Sequence, residues 1–231
     1  MKAKILLFLV IPIFSMGQDY VVSEIFEPDN YSSGFAEVSP NNRFIYSYGL
    51  NVDNSELNLI KEMGSNYFDA RYQYNTPVLK KVYFTVGFGF NWNVFNLNND
   101  SNLLYIDSLF HEKRKLRFQN ITSVVGLRFQ AKEYPNESWY LEVNFLNEYL
   151  VRSNYLTWGN LDGMEYKNKF SKLNFVKKYQ FGFEFRSGYK NISLFSRYRL
   201  SSLVNGSLGG VDLPSLTFGL QLDIPASGDI R

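Results

Sequence analysis

Residues Val82 to Val94, VYFTVGFGFNWNV, alternate without a break. The even positions Val82, Phe84, Val86, Phe88, Phe90, Trp92 and Val94 are all apolar. The odd positions between them read Tyr, Thr, Gly, Gly, Asn and Asn. A period of two sends these two sets to opposite faces of one strand. A strand in a soluble sandwich also alternates, but its polar face meets solvent and usually carries Lys, Glu or Thr. Small Gly and Asn on one face, with an unbroken bulky wall on the other, suit a polar face turned into a confined interior and an apolar face turned to lipid. Gly87 and Gly89 are then small interior residues opposite bulky neighbours; no helix follows them, so they do not form a phosphate-binding loop.

The same pattern recurs. Outward sets read Phe44, Tyr46, Tyr48, Leu50 and Val52; Phe68, Ala70, Tyr72 and Tyr74; and Ile121, Val125, Leu127 and Phe129. Further along come Trp139, Leu141, Val143, Phe145, Tyr149 and Val151; Tyr179, Phe181, Phe183 and Phe185; Ile192, Leu194, Tyr198 and Leu200; and Leu216, Phe218, Leu220, Leu222 and Ile224. With the first segment these make eight strands, each near the ~10 residues that a tilted spanning strand needs. Links 76–81, 131–138 and 187–190 are short, while 53–65, 97–114, 153–170 and 201–212 are longer and polar. Short and long links alternate, which sorts them to opposite ends. The expected fold is all-β: an eight-stranded antiparallel up-and-down transmembrane β-barrel over residues 43–225.

Composition fits that architecture. Aromatic residues reach 18%, and hydrophobic content of 45% is too low for a bundle of membrane helices. There is no Cys, hence no disulfide framework and no thiolate metal site. The chain opens MKAKILLFLVIPIFSMGQDY. Lys2 and Lys4 precede an apolar stretch too short to span as a helix, and Ser15-Met16-Gly17 supplies small residues for cleavage, so 1–17 reads as a signal peptide. Its loss takes the 24 basic residues to 22, equal to the 22 acidic ones, and gives no case for nucleic acid as partner. Residues 18–42 read as a short periplasmic lead, rich in Pro, Asn and Ser. With an even strand count, both mature termini fall on the periplasmic side of an outer membrane.

On these patterns the chain resembles the small outer-membrane barrels of the OmpA and OmpX type. The last strand also resembles their signal for the barrel-insertion machinery, with Thr217, Gly219, Leu222 and Ile224 at its polar, glycine and two apolar positions. The resemblance implies outer-membrane localisation, contact with membrane lipid and lipopolysaccharide, and recognition by that machinery. The chain departs from the family by continuing as PASGDIR and by having aliphatic residues at the last two signal positions.

The interior positions carry Asp69, Arg71, Glu142, Glu148, Arg152, Glu184, Arg186, Arg197, Arg199 and Asp223. Such charges either form a network that fixes the interior or line a polar conduit. Eight strands leave room for side chains but not for a broad channel, which favours the network. His111, the one histidine, lies in the second long link beside Asp107 and Ser108. A lipid acyl hydrolase or transferase using it needs a serine within reach, and no local signature supplies one. One His and no Cys exclude a metal cluster of the usual kind. No catalytic, cofactor-binding or metal-binding residue is therefore expected.

Three functions remain: a structural barrel acting through its extracellular loops, an accessory barrel of a secretion or assembly machine of the PorT kind, and the His111 enzyme. The first is preferred. The second long link, Asn96 to Lys115, is the expected docking loop for a protein partner, with the apolar run Leu103, Leu104, Tyr105, Ile106, Leu109 and Phe110. The basic cluster that follows, Lys113, Arg114 and Lys115, is placed to meet lipopolysaccharide phosphates. For the Tyr179–Leu200 hairpin, a two-residue turn at Gly188-Tyr189 is expected, pairing Glu184 with Ser193 and Gln180 with Arg197.

Overall fold

The computed structural model describes residues 42–53, 59–98, 111–131, 138–161, 163–205 and 212–226. All of these belong to one compact unit, Val38–Ile230. Residues 1–17, expected above to be a signal peptide, residues 18–41 and the apolar run 103–110 lie outside the described residues.

The described residues form nine strands: β1 (Asn42–Val52), β2 (Asn66–Leu79), β3 (Val82–Leu97), β4 (Lys113–Gln130), β5 (Trp139–Leu161), β6 (Met164–Ser171), β7 (Tyr179–Tyr189), β8 (Ile192–Arg199) and β9 (Leu216–Pro225). Every pairing is antiparallel. β1 pairs with both β2 and β9, and β4 with both β3 and β5, so eight strands close into a ring that follows chain order and leaves out only β6. Closure removes the free edges that an open sheet would expose. The start of β1 and the end of β9 lie side by side, with Arg43 opposite Pro225, at the end that carries the short links.

The faces sort as the alternation requires. Phe88, Phe185 and Leu220 stand outside at 56%, 53% and 58% exposure, while Arg128 and Glu184 are fully buried inside. Gly89 shows why one interior position must be small. A Cβ there would lie 2.3 Å from the Ala70 carbonyl oxygen and 2.5 Å from Arg71 Cα, both on the paired strand β2. Gly89→Ala is expected to cost about 1–3 kcal/mol, as overpacking does, read as a lower urea midpoint of the refolded protein. An unchanged midpoint would show that β2 yields at no cost.

Three features depart from the sequence reading. The link 153–170 is not a loop. β5 runs on to Leu161 and returns as β6, with Asn154 opposite Ser171 and Leu161 opposite Met164. The chain turns between Leu161 and Met164, where Gly163 takes a φ of 83°; the sequence there is Asp-Gly, a strong hairpin signal. β6 therefore makes a ninth strand, bonded to the upper half of β5 and lying outside the ring.

Arg152 is not inside. Gln119 pairs with Arg152 and Asn120 with Leu150, so Val151 is an extra residue at a bulge and both Val151 and Arg152 face outward. A bulge adds one residue to one strand and re-aims the side chains beyond it.

The turn between β7 and β8 lies two residues further on than expected. Tyr189 pairs with Ile192, so the central residues are Lys190 and Asn191, with Lys190 at φ 54°. Glu184 consequently faces Arg197, and Gly188 faces Ser193. Phe183 remains outside and Glu184 inside, because moving both pairing partners together preserves the parity. The later turn lets Tyr189 pack on Trp139, with ring centroids 5.4 Å apart. It also leaves Gly188 as the bed for the Tyr140 ring, whose Cζ lies 2.6 Å from where a Cβ would be.

Candidate functional site

Ten of the twelve buried charged residues among those described form a balanced column, and Arg114 and Arg199 lie apart from it. Arg43, Arg71, Arg128, Arg186 and Arg197 meet Asp69, Glu142, Glu148, Glu184 and Asp223, five of each sign. Strand register places them. Arg128 on β4, Glu142 on β5 and Arg186 on β7 are direct cross-strand neighbours, so charges of alternating sign sit side by side along one row.

Near the short-link end, Asp223 collects three arginines. Arg186 Nη2 donates to Oδ1 at 2.6 Å, Arg43 Nη1 lies 3.4 Å from Oδ2 and Arg128 Nη1 3.5 Å from it. Arg186 Nη1 also donates to Glu142 at 2.9 Å. The Arg128 guanidinium lies 3.5 Å from the centroid of the Tyr140 ring, whose hydroxyl donates to Asp223 at 3.2 Å. In the middle, Arg71 grips Glu184 through both terminal nitrogens and lies 3.6 Å from Asp69. Asn144 donates to Glu142 at 2.8 Å and to Glu184 at 3.3 Å, tying these two layers together. Higher up, Arg197 pairs with Glu148 and donates to the Tyr67 hydroxyl, while Thr122, Asn91 and Asn120 surround the same carboxylate. An isolated ion in such surroundings costs several kcal/mol, so this pairing is what allows the charges to be inside. Arg43 and Arg128 were not among the interior charges counted from the sequence, although both share the parity of buried neighbours on their strands.

Above this polar column the interior turns apolar. Phe95 and Leu97 of β3, Leu116 and Phe118 of β4, and Leu150 and Tyr155 of β5 are buried together with Leu59, Ile60, Leu173, Val176, Leu203, Val204 and Leu213 from three of the long links. Those links fold into the mouth of the ring and are tied there by backbone contacts. Ile60 bridges to Leu97, Val176 to Val204, and the Lys177 amide donates to the Leu203 carbonyl at 2.9 Å. Arg199 lies below them, 3.4 Å from Asp212 and donating to the Leu213 carbonyl at 2.6 Å. The described parts of the long links thus form a plug over the charged column.

The basic cluster 113–115 belongs to β4 and not to a loop. Lys113 and Lys115 face outward, whereas Arg114 turns in and donates to the Asn98 carbonyl at 2.6 Å. His111 Nδ1 lies 3.1 Å from the Tyr166 hydroxyl, and the two rings meet edge to face with centroids 5.9 Å apart. Tyr166, but not His111, borders an open hollow of about 540 Å³ lined also by Glu112, Lys113, Trp158 and Glu165. This contact is with a phenol on β6, not with the serine that acyl transfer requires; Asp107 and Ser108 lie outside the described residues. Among the described residues no group of three or more His, Asp and Glu is placed to hold a metal ion. No model of a known protein family matches the chain and no curated protein aligns with it significantly, so its chemistry is read from its own side chains.

Proposed function

We propose that the ring is an outer-membrane β-barrel, non-catalytic and with a side-chain-filled lumen, that acts structurally or through the surface at its long-link end. The observation that carries this reading is the inversion of the surface. Among the described residues, aromatic and aliphatic side chains stand outside on all eight ring strands, while seven arginines and five carboxylates are buried inside. A soluble monomer rarely exposes an apolar patch of more than a few hundred Å². A continuous apolar band is what a barrel presents to a ~25 Å hydrocarbon layer. Closure supports the same reading, because a membrane leaves no water for open strand edges.

In this orientation the short links and both strand termini are periplasmic, and the plugged mouth with the β5–β6 hairpin is extracellular. The partners are the surrounding lipid and lipopolysaccharide, the insertion machinery through β9, and a protein at the long-link end. Thr217 faces inward on β9, while Leu222 and Ile224 face outward at 44% and 42% exposure, which suits a signal read on the closing strand. The balanced column and the apolar plug favour a scaffold over a conduit, so reconstituted protein should give no stable conductance.

The expected result is that mature protein refolds only with detergent or lipid and then migrates faster on gels until it is boiled. Recovery as a water-soluble monomer of unchanged mobility would sink the barrel reading.

A further inference from the structure

The outer wall above the apolar band is unusually basic on one side. On β4 the outward residues run Ile121, Gln119, Arg117, Lys115 toward the long-link end, so the apolar series stops and cations begin. The neighbouring strands continue the patch. Lys115 is paired with Leu156, and Leu156 with Lys169 of β6; Gln119 is paired with Arg152. None of the four is directly opposed to another, since Leu156 stands between Lys115 and Lys169 and Asn154 faces Arg117, but all four border one hollow. Arg152 reaches it only because the bulge at Val151 turns it outward. Among the described residues none of the four forms an ion pair, although each interior arginine of the column does. Glu165, on the same face of β6, sits four residues nearer the hairpin tip.

Four cations bordering one hollow, with no ion-pair partner among the described residues, raise the local positive potential that an anion relieves. Two adjoining hollows show what kind of anion fits. One, of about 470 Å³, is bordered by Lys115, Arg117, Arg152 and Lys169 together with Trp92 and Val94. The other, of about 1090 Å³, shares Gln119 and Arg152 with the first and continues along Ile121, Tyr149 and Val151 toward the short-link end. The second hollow is mixed, with Lys172 and Lys178 on its β6–β7 side and the apolar Ile121, Tyr149 and Val151 on its wall side, so the basic compartment adjoins an apolar strip on the same wall, which matches an amphiphile with its phosphate uppermost.

We propose that the outer face of β4–β6 binds a phosphorylated membrane lipid, its headgroup phosphate held by Lys115, Arg117, Arg152 and Lys169 and its acyl chain laid along Ile121, Tyr149 and Val151. This site rests on the membrane orientation proposed above. The lipid is held from outside the wall, so neither the plug nor the charged column opens to admit it. Trp92 stands at the level where indole rings collect between hydrocarbon and headgroups.

The test uses the full mature chain refolded into phosphatidylcholine vesicles containing a minority of phosphatidic acid or diphosphoryl lipid A. After mild extraction, native mass spectrometry counts the lipids retained. Wild type should retain phosphatidic acid or lipid A, whose phosphate monoesters carry net negative charge, over phosphatidylcholine, whose phosphodiester is neutralised by choline, by on the order of tenfold or more, given about a fivefold gain per basic residue near a charged headgroup. The variant K115Q/R117Q/R152Q/K169Q should lose that preference and keep its heat-sensitive mobility. Should it fail to fold, Arg152→Gln alone, a change at an exposed side chain, should lower retention about fivefold. Equal retention of both lipids by inserted wild type, an undiminished preference in a folded variant, or displacement of the lipid by a soluble polyanion such as heparin would each overturn the site. Failure of wild type to enter any vesicle is a different outcome and counts against the membrane reading itself.

Discussion

Asp223→Asn should destabilise the folded ring by about 3–5 kcal/mol, the cost of stranding buried charge when one partner is removed. The substitution keeps the size of the side chain and removes only its charge. Arg43, Arg128 and Arg186 then share no anion at that point, and Arg186 and Arg128 are left to share Glu142, at 2.9 Å and 3.7 Å. Urea unfolding of refolded protein, followed by gel mobility, reads the loss directly. Arg152→Gln is the matched control, since an exposed substitution should fall within about 0.5 kcal/mol of wild type. If Asp223→Asn behaves like that control, the column of charges is solvated and the filled lumen is wrong.

Phe95→Ala should cost about 3–5 kcal/mol, the usual range for emptying a buried phenyl site. Phe95 is fully buried in the plug and meets Phe118 edge to face, with centroids 6.0 Å apart. The damage should be local at first. The links that fold into the mouth are held by few backbone bonds, such as the Lys61 amide to the Asn96 carbonyl at 2.7 Å. Trypsin should therefore cut after Lys61 and Lys177 much faster in the variant, while the gel shift of the ring persists. No conductance is expected even so, because the charged column lies beneath the plug. Equal cleavage rates in variant and wild type would show that the plug does not hold these links.

The ring was legible because its period survives in every wall strand. The run from Val82 to Val94 and its seven counterparts face as their parity requires, and the short and long links sort to opposite ends. What was missed has local causes. β6 lacks a one-sided apolar face, with Lys167 and Lys169 where a wall strand would carry aliphatics, so its alternation was hidden; only Asp162-Gly163 announced the hairpin. Arg152 went astray because a single extra residue reverses parity, and nothing in YLVRS marks which residue that is. Gly188 suggested a turn, but its smallness serves Tyr140 instead. The plug was hidden for a related reason. Leu59-Ile60, Leu203-Val204 and the pair Leu173 and Val176 are short apolar pieces in separate links, too brief to show a period, and only closure of the ring brings them together.

The hairpin that leaves the ring also bears on how the wall finds its alignment. Sliding β7 along β5 by two residues would keep Phe181, Phe183 and Phe185 outside, so hydrophobicity alone does not forbid it. In the observed alignment Glu142 faces Arg186, and a two-residue slide would put Gly188 or Glu184 there instead. Because β6 already occupies the edge of β5 from Asn154 upward, travel toward the long-link end is also obstructed. The β5–β6 hairpin is thus a mechanical stop, and the buried ion pairs are the detents that hold the strand against it.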